Sequence, residues 1–221
     1  KDMSRLGRNY LQVGFYTEIL FPQKDVRFLA INNGIDSNNA SDNDFAPFLN
    51  IMNEFYAKDT SNKIKAVFDA RMKDGKRCSG SIPYGYNRLA TDKQTLVVDP
   101  VASEVVKRIF ALYLAGNGTT RIARILNEEC VPSPTQYKRE HGVVWKRPAR
   151  YKNEDLWGKA TIYRMLTNRS YAGDMEQGRH KKVSYKSKKT VWIPKKDWIV
   201  VPGTHEGIIE RDSFERVQQM L

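Results

Sequence analysis

A long helical pattern of apolar residues is the feature that most constrains the fold. Large apolar side chains recur at helical spacing at Phe45, Phe48, Leu49, Ile51, Met52, Phe55, Tyr56, Ile64, Val67 and Phe68. A helix unbroken from about Ala46 to Asp74 would be roughly 43 Å long at 1.5 Å per residue, and a small domain does not need such a rod. The polar run from Lys58 to Lys63 leaves a second possibility, a break in the middle of the pattern.

The residues before this pattern are typical of the end of an α/β domain. Apolar positions from Asn9 to Leu20 predict a helix that ends before Pro22. Val26 to Ile31 predicts a buried strand, closed by the turn residues Asn32-Asn33-Gly34. We therefore expect residues 1–45 to be the C-terminal part of an α/β domain and residues 46–78 to be the long helix with a basic linker.

Two arginines near the start, Arg5 and Arg8, are spaced to point the same way from a helical turn. Two guanidinium groups that converge can hold a phosphate through paired charge-assisted hydrogen bonds, as a phosphoryl-transfer site requires. A solvated basic turn is the alternative that this short motif leaves open.

Positive charge is concentrated in the second part of the chain. The 221 residues include 37 Lys and Arg against 25 Asp and Glu, a net charge of +12, with a pI near 9.6. Residues 1–57 carry 5 basic and 7 acidic side chains, whereas residues 58–221 carry 32 and 18. This asymmetry favours a polyanionic partner, most simply nucleic acid. A membrane-surface protein is disfavoured for a separate reason, because no segment of the sequence pairs a long apolar face with a basic one.

The far end of the long helix is basic. Its candidate DNA-binding residues are Lys65, Arg71, Lys73, Lys76 and Arg77. Cations at a helix C-terminus complement the helix dipole, and a basic peptide that contains Gly75 also resembles an arm that tracks phosphates or enters a minor groove. Both interpretations stay open.

Residues 79–221 are predicted to be a second, mainly helical domain with a small β hairpin. Asp99 and Pro100 form a strong helix start, and this helix continues to Leu114 before Gly116. A second short helix, Arg121 to Asn127, would complete a corner of the helix-turn-helix kind.

A third helix, within residues 157–166, is the candidate recognition helix. Its apolar stripe leaves polar side chains on other faces, suited to phosphate and base-edge contacts, and a basic loop precedes it. An ordinary solvated surface helix is the alternative. The candidate DNA-binding residues of the loop and helix are Lys146, Arg147, Arg150, Lys159, Thr161, Tyr163 and Arg164.

The hairpin is predicted to pair Tyr171–Met175 with Trp198–Val201, and the loop between them is dense in Lys and Arg. Cys78, Cys130 and three dispersed His show no metal-ligand spacing, so we expect no metal. Two thiols of this kind and the absence of a signal peptide before Lys1 favour a cytoplasmic location.

Taken together, the motifs resemble the large serine site-specific recombinases of phages and transposons. The stretch Ser4-Arg5-Leu6-Gly7-Arg8-Asn9 resembles the arginine motif late in that family's catalytic domain, and the long helix resembles its dimerisation helix. Further matches to its recombinase DNA-binding domain are Pro83-Tyr84-Gly85-Tyr86, Val97-Val98-Asp99-Pro100, Ile109-Phe110, Ala115-Gly116, Ile122-Ala123, Leu126-Asn127 and Thr161 to Gly173.

The resemblance implies a fold and a mechanism. The fold is the α/β remnant of a resolvase-like catalytic domain, a long connecting helix and a mixed α+β DNA-binding domain. In this family a serine hydroxyl attacks a DNA phosphodiester in a tetramer, forms a phosphoserine link and needs no metal or nucleotide cofactor, because the link conserves the bond energy.

Arg5 and Arg8 match the phosphate-binding arginines of that family, and Ser4 stands where it often has an acidic residue. The nucleophilic serine belongs to an earlier segment, so the resemblance predicts that this chain, part of a longer enzyme, binds a double-stranded attachment site without cutting it. The resemblance also predicts self-association, as a dimer and, in the active synaptic complex of the longer enzyme, as a tetramer.

Two other classes of protein remain as alternatives. A non-catalytic DNA-binding transcriptional regulator would account for the charge and the helical corner, but it has no use for Arg5 and Arg8. An interaction module that dimerises through the apolar helix would leave the positive charge of residues 58–221 unexplained.

Overall fold

The computed structural model describes residues 2–7, 9–89, 91–92, 94–142 and 155–221, and for residues 40–46 it describes the backbone alone. The chain forms two compact units. The first comprises Lys1–Ala70 together with His180–Ile193, and the second comprises Arg71–Arg179 together with Pro194–Leu221.

The first unit contains a helical stretch with a proline inside it. Helix α1 (Tyr10–Gly14) continues through a π-helical segment (Phe15–Leu20) into the short helix α2 (Phe21–Gln23). The prediction that the helix ends before Pro22 is therefore wrong. The physical reason is the π-helical segment, where the N–H of Phe21 bonds to the carbonyl of Tyr16 and the wider turn makes room for a proline ring.

The predicted buried strand from Val26 to Ile31 is much shorter in the structure. Strand β1 (Leu29–Ala30) pairs antiparallel with β2 (Ile35–Asp36) across a 3₁₀ turn. Val26 and Ile31 are exposed. The small core of this unit consists of Met3, Val13, Ala30 and Ile35, with Leu6, Phe28 and Leu49 packed against it.

The long helix is continuous. Helix α3 (Ala40–Lys73) has 34 residues and is about 51 Å long at the standard rise. The polar run from Lys58 to Lys63 stays helical, supported by an ion pair of 2.7 Å between Asp59 and Lys63 one turn apart. Many of its large apolar side chains are exposed, namely Phe48, Ile51, Met52, Phe55, Tyr56, Ile64, Val67 and Phe68.

In its described residues, the second unit is mainly helical with two small antiparallel sheets. Its helices are α4 (Pro100–Leu114), α5 (Thr119–Glu128), α6 (Pro134–Glu140), α7 (Lys159–Leu166) and α8 (Arg211–Met220). Its strand pairs are β3 (Tyr86–Arg88) with β4 (Leu96–Val98), and β5 (Met175–Gln177) with β8 (Ile199–Val201). The predicted start of α4 is confirmed, because the Asp99 carboxylate accepts the N–H groups of Val101 and Ala102 at 3.0 Å.

One continuous core holds the helices of this unit together. Phe110 of α4 contacts the rings of Tyr171 and Phe214, and residues from α5, α7 and α8 complete the core at Ile122, Leu126, Ile162, Leu166 and Val217. The Tyr86 hydroxyl donates to the Ser170 carbonyl at 2.8 Å and so ties β3 to this core. The mixed helical and sheet character expected from the sequence is confirmed.

The hairpin region differs from its prediction. Residues Arg169–Ala172 form a 3₁₀ turn, so the strand that pairs with Ile199–Val201 begins later, at Met175. Within the charged loop, β6 (His180–Lys182) pairs with β7 (Thr190–Trp192). We call residues 180–193 the basic ribbon, and it belongs to the first unit.

Candidate nucleic-acid interface

The candidate recognition helix α7 has two distinct faces. Ile162, Met165 and Leu166 are buried, as the apolar stripe predicted. Lys159, Tyr163 and Arg164 are exposed and Thr161 is half-buried. The Arg164 Nε donates to the Ala160 carbonyl at 3.1 Å, which lays the guanidinium back along the helix beside Thr161. Three of the four predicted residues of α7 are therefore accessible to solvent, and Thr161 is partly so.

Trp157 anchors the start of α7 to α5. Its backbone N–H donates to Asn127 Oδ1 at 2.8 Å, and its carbonyl accepts from Asn127 Nδ2 at 3.0 Å. The buried indole donates through Nε1 to the Val131 carbonyl at 2.9 Å. These bonds fix the position of α7 against α5, whose exposed side includes Arg121 and Arg124. Sequence reasoning did not identify Trp157 or Asn127 as positioning residues.

The basic end of α3 stops in a Schellman turn. Gly75 has φ of 71°, its N–H bonds to the Met72 carbonyl, and the Lys76 N–H bonds to the Arg71 carbonyl. Gln177 then holds the linker, donating to the Lys76 carbonyl at 3.0 Å and accepting from the Cys78 N–H at 2.8 Å. This geometry leaves the predicted cations Lys65, Arg71, Lys73 and Lys76 exposed.

Arg77 is placed differently from the exposed basic arm that the sequence suggested. It is only 7% exposed, and its Nη2 donates to the Ser81 carbonyl at 2.8 Å. Burial lowers the pKa of the Arg77 guanidinium, and the nearby positive charge of Arg88 lowers it further. The chain reverses at Gly75, whose φ is 71°, and the loop that follows supplies the carbonyl that holds the Arg77 side chain inward.

The arginine motif at the start is described for Arg5 alone, since Arg8 lies outside the described residues. Arg5 is exposed at the end of a 3₁₀ turn, Met3–Arg5, which Asp2 caps. The Met3 N–H donates to Asn33 Oδ1 at 2.8 Å, so the β1–β2 turn positions this segment. The candidate residues Lys146, Arg147 and Arg150 also lie outside the described residues.

The basic ribbon adds a further set of exposed cations, which are Lys181, Lys182, Lys188 and Lys189. In the part of the chain that the structure describes, His, Cys, Asp and Glu nowhere gather in threes that could hold a metal ion. No helix of that part is long and apolar enough to cross a bilayer.

Comparison with known proteins assigns both parts of the chain. A family model described as Recombinase matches residues 100–221, and one described as Resolvase, N terminal domain matches residues 1–77. Two similar solved structures are each 19% identical over 72% of this chain. One, described as "Sequence Requirements of the Listeria innocua prophage attP site", is covered over 50% of its length with a TM-score of 0.41. The other, "Crystal Structure of a LSR-DNA Complex", is covered over 37% with a TM-score of 0.40.

The chain thus spans half the length, or less, of these two solved structures. The assignment rests on the two family models, of which the recombinase model alone matches more than half of the residues. Their order along the chain is the order that the arginine motif, the long helix and the later motifs predict. The chain therefore belongs to the recombinase family, with the resolvase and recombinase domains of a large serine recombinase.

Proposed function

We propose that the chain is the DNA-binding part of an enzyme that integrates or excises a mobile element by site-specific strand exchange through a phosphoserine–DNA intermediate. The observation that carries the proposal is the two-faced helix α7. Its apolar face is buried, while Lys159, Tyr163 and Arg164 are exposed, and it lies in the part of the chain with the excess positive charge. Such a helix can reach base edges in the major groove.

The exposed cations at the end of α3 are proposed to contact the DNA backbone. Phosphate contacts carry no sequence information. The proposed contribution of these cations is therefore to affinity and register, and they are Lys65, Arg71, Lys73 and Lys76. Lys146, Arg147 and Arg150 are proposed from the sequence to add to the same electrostatic surface. Backbone contacts of this kind make binding steeply dependent on salt, with a slope of about 0.9 per neutralised phosphate.

Arg5 and Arg8 are proposed to neutralise the charge that develops on the transferring phosphoryl group. Their match to the family's arginine motif supports this role, and the exposed position of Arg5 leaves its guanidinium accessible to a phosphate. No serine of this chain is matched to the family's nucleophile. On its own, the 221-residue chain is therefore proposed to bind its duplex site without cutting it.

The exposed apolar side chains of α3 are proposed to support self-association. Phe55 and Tyr56 are 65% and 73% exposed, and exposed large apolar side chains that form a patch are typical of an interaction site. The proposed assemblies are a dimer on the attachment site and a tetramer in the synaptic complex.

A gel-shift titration at increasing salt tests DNA binding. We expect a steep fall in affinity and a preference for a short inverted-repeat site over a scrambled duplex. Lys159→Ala should reduce that preference, whereas the matched control Arg216→Ala, an exposed cation of α8, should retain it. The absence of binding at low salt would reject the proposal.

Catalysis needs its own experiment. A form of the protein that carries the family's nucleophilic serine should form a covalent protein–DNA adduct on the same site. Binding without any adduct would instead support the non-catalytic regulator.

A further inference from the structure

Three cations of the second unit converge on one short loop. The Arg88 Nη2 donates to the Gly80 carbonyl at 2.6 Å, the Arg77 Nη2 to the Ser81 carbonyl at 2.8 Å, and the Lys138 Nζ to the Ile82 carbonyl at 3.0 Å. The three side chains come from the linker after α3, from β3 and from α6. Three successive carbonyl oxygens therefore hold three positive charges side by side.

This cluster has positive charge without a matching carboxylate. Across the described residues, no ion pair joins Arg77, Arg88 or Lys138 to an acidic side chain, whereas their neighbours Lys76 and Arg139 contact Asp74 and Asp155. Burial and the nearby Arg77 charge lower the pKa of Lys138. Arg77 and Lys138 are thus partly desolvated, and Arg77 is repelled by the charge of Arg88 and repels that of Lys138, which an added negative charge would relieve.

One donor in the cluster also lacks an acceptor. Arg77 is more than nine-tenths buried, and its Nε has no hydrogen-bond partner among the residues that the structure describes. A buried unsatisfied donor on a charged group is costly and is uncommon without a functional reason. An oxyanion held beside Arg77 would supply the missing negative charge.

The geometry points to a phosphate-binding site formed by Arg77, Arg88 and Lys138, and we propose that it holds one backbone phosphate of the bound duplex. This inference rests on the proposed DNA-binding function. Exposed Arg88 and half-buried Lys138 are accessible to a phosphate, and the two guanidinium groups match its oxygens. The loop carbonyls already fix all three cations, so little side-chain freedom is lost on binding.

A DNA phosphate is favoured over a free one because the site follows directly on the exposed cations Arg71, Lys73 and Lys76 of the same unit. A row of phosphate contacts along the linker would end at this cluster. Arg88 and Lys138 were missed by sequence reasoning, since they lie in different elements and only the folded loop brings them together.

The test compares salt dependence in matched variants of the 221-residue chain. Arg88→Ala and Lys138→Ala should each lower affinity about tenfold and reduce the salt slope by about 0.9, equally on cognate and scrambled duplexes. Arg139→Ala, a neighbouring α6 cation paired with Asp155, should leave the slope unchanged. Circular dichroism melting verifies that each variant is folded.

A second arm locates the phosphate. A single neutral methylphosphonate is placed in turn at each position of the duplex site. At one of these positions, the affinity of the wild-type chain should be no higher than that of Arg88→Ala. If the wild type binds DNA but both variants keep its slope, the phosphate site is refuted while the DNA-binding function stands. If the wild type binds no DNA, the proposed function itself fails.

A third arm separates a free phosphate from a DNA phosphate. Inorganic phosphate, titrated at constant ionic strength, should compete with DNA only weakly and equally for wild type and Arg139→Ala. The assignment to the DNA backbone would be overturned by two results together. Inorganic phosphate would bind saturably to the wild type and not to Arg88→Ala, and Arg88→Ala would leave the affinity for DNA unchanged.

Discussion

The Lys186 ammonium lies 2.7 Å from Glu54 Oε1 and joins the loop of the basic ribbon to the middle of α3. The Tyr185 hydroxyl donates to the same oxygen at 3.1 Å, and the Tyr10 N–H donates to Glu54 Oε2 at 3.1 Å. The hydrogen bond from Lys186 lowers the pKa of Glu54. One carboxylate thus holds together α1, α3 and the ribbon.

Replacing this carboxylate should loosen the ribbon. Glu54→Gln keeps an acceptor for the Tyr10 N–H but removes the charge that Lys186 contacts, so we expect a loss of about 1 kcal/mol in the free energy of unfolding. Trypsin should then cut faster after Lys186, Lys188 and Lys189. The control is Glu18→Gln, which alters an exposed carboxylate in the same unit. Equal cutting rates in both variants would show that Glu54 does not hold the ribbon.

The pair between Arg27 and Asp36 should be visible in an acid titration. The Arg27 guanidinium, bonded to both carboxylate oxygens, lowers the pKa of Asp36 to about 2. Because the folded pKa is lower than the unfolded one, the pair stabilises the fold above about pH 4, and this stabilisation is lost as the pH falls toward 2. A carboxyl NMR titration should give this low pKa, and Arg27→Gln should raise it. An unchanged pKa in that variant would contradict the assignment.

Two glycines with the same backbone angle should respond differently to alanine. Gly116 and Gly173 both have φ of 87°. A Cβ at Gly116 meets nothing within 4 Å, whereas a Cβ at Gly173 would lie 2.7 Å from the His205 carbonyl oxygen. We expect Gly116→Ala to cost about 1 kcal/mol from backbone strain and Gly173→Ala to cost about 2 kcal/mol more from the added clash. Urea denaturation measures both, and equal costs would rule out the steric explanation.

Backbone contacts and base contacts should separate in binding assays. Arg71→Ala and Lys73→Ala should weaken binding to all duplexes by a similar factor, because phosphates carry no sequence information. Lys159→Ala and Tyr163→Ala should reduce the ratio of specific to non-specific affinity, with about 1–3 kcal/mol lost for a base contact. Competition gel shifts with cognate and scrambled duplexes measure both effects. If all four variants changed affinity and specificity in the same way, the division into backbone-contacting and base-contacting residues would be wrong.

Features set by neighbouring residues were predictable from the sequence. Asp99 and Pro100 start α4 as expected because a helix cap depends on a few adjacent positions, and the apolar stripe of α7 is buried because helical periodicity directly encodes a face. The continuity of α3 could not be decided, since the polar run after Tyr56 neither requires nor forbids a helix.

Features that depend on distant residues were not predictable. The strands of the basic ribbon have three residues each and are exposed throughout, so neither is long enough to show the alternating apolar and polar pattern that marks a strand. The inward turn of Arg77 and its meeting with Lys138 depend on a loop conformation with no local signal. The π-helical segment before Pro22 is a local feature instead, and it was missed because ordinary helix rules end a helix before a proline.

The basic ribbon lies within the residues that match the recombinase model, yet it packs within the unit that matches the resolvase model. A chimaera that joins this resolvase part to the recombinase part of a relative at the linker would bring a foreign ribbon against Glu54 and Tyr10. Exchange of the recombinase part between relatives therefore requires residues 180–193 to be kept with their original helix, as a graft inside the exchanged domain.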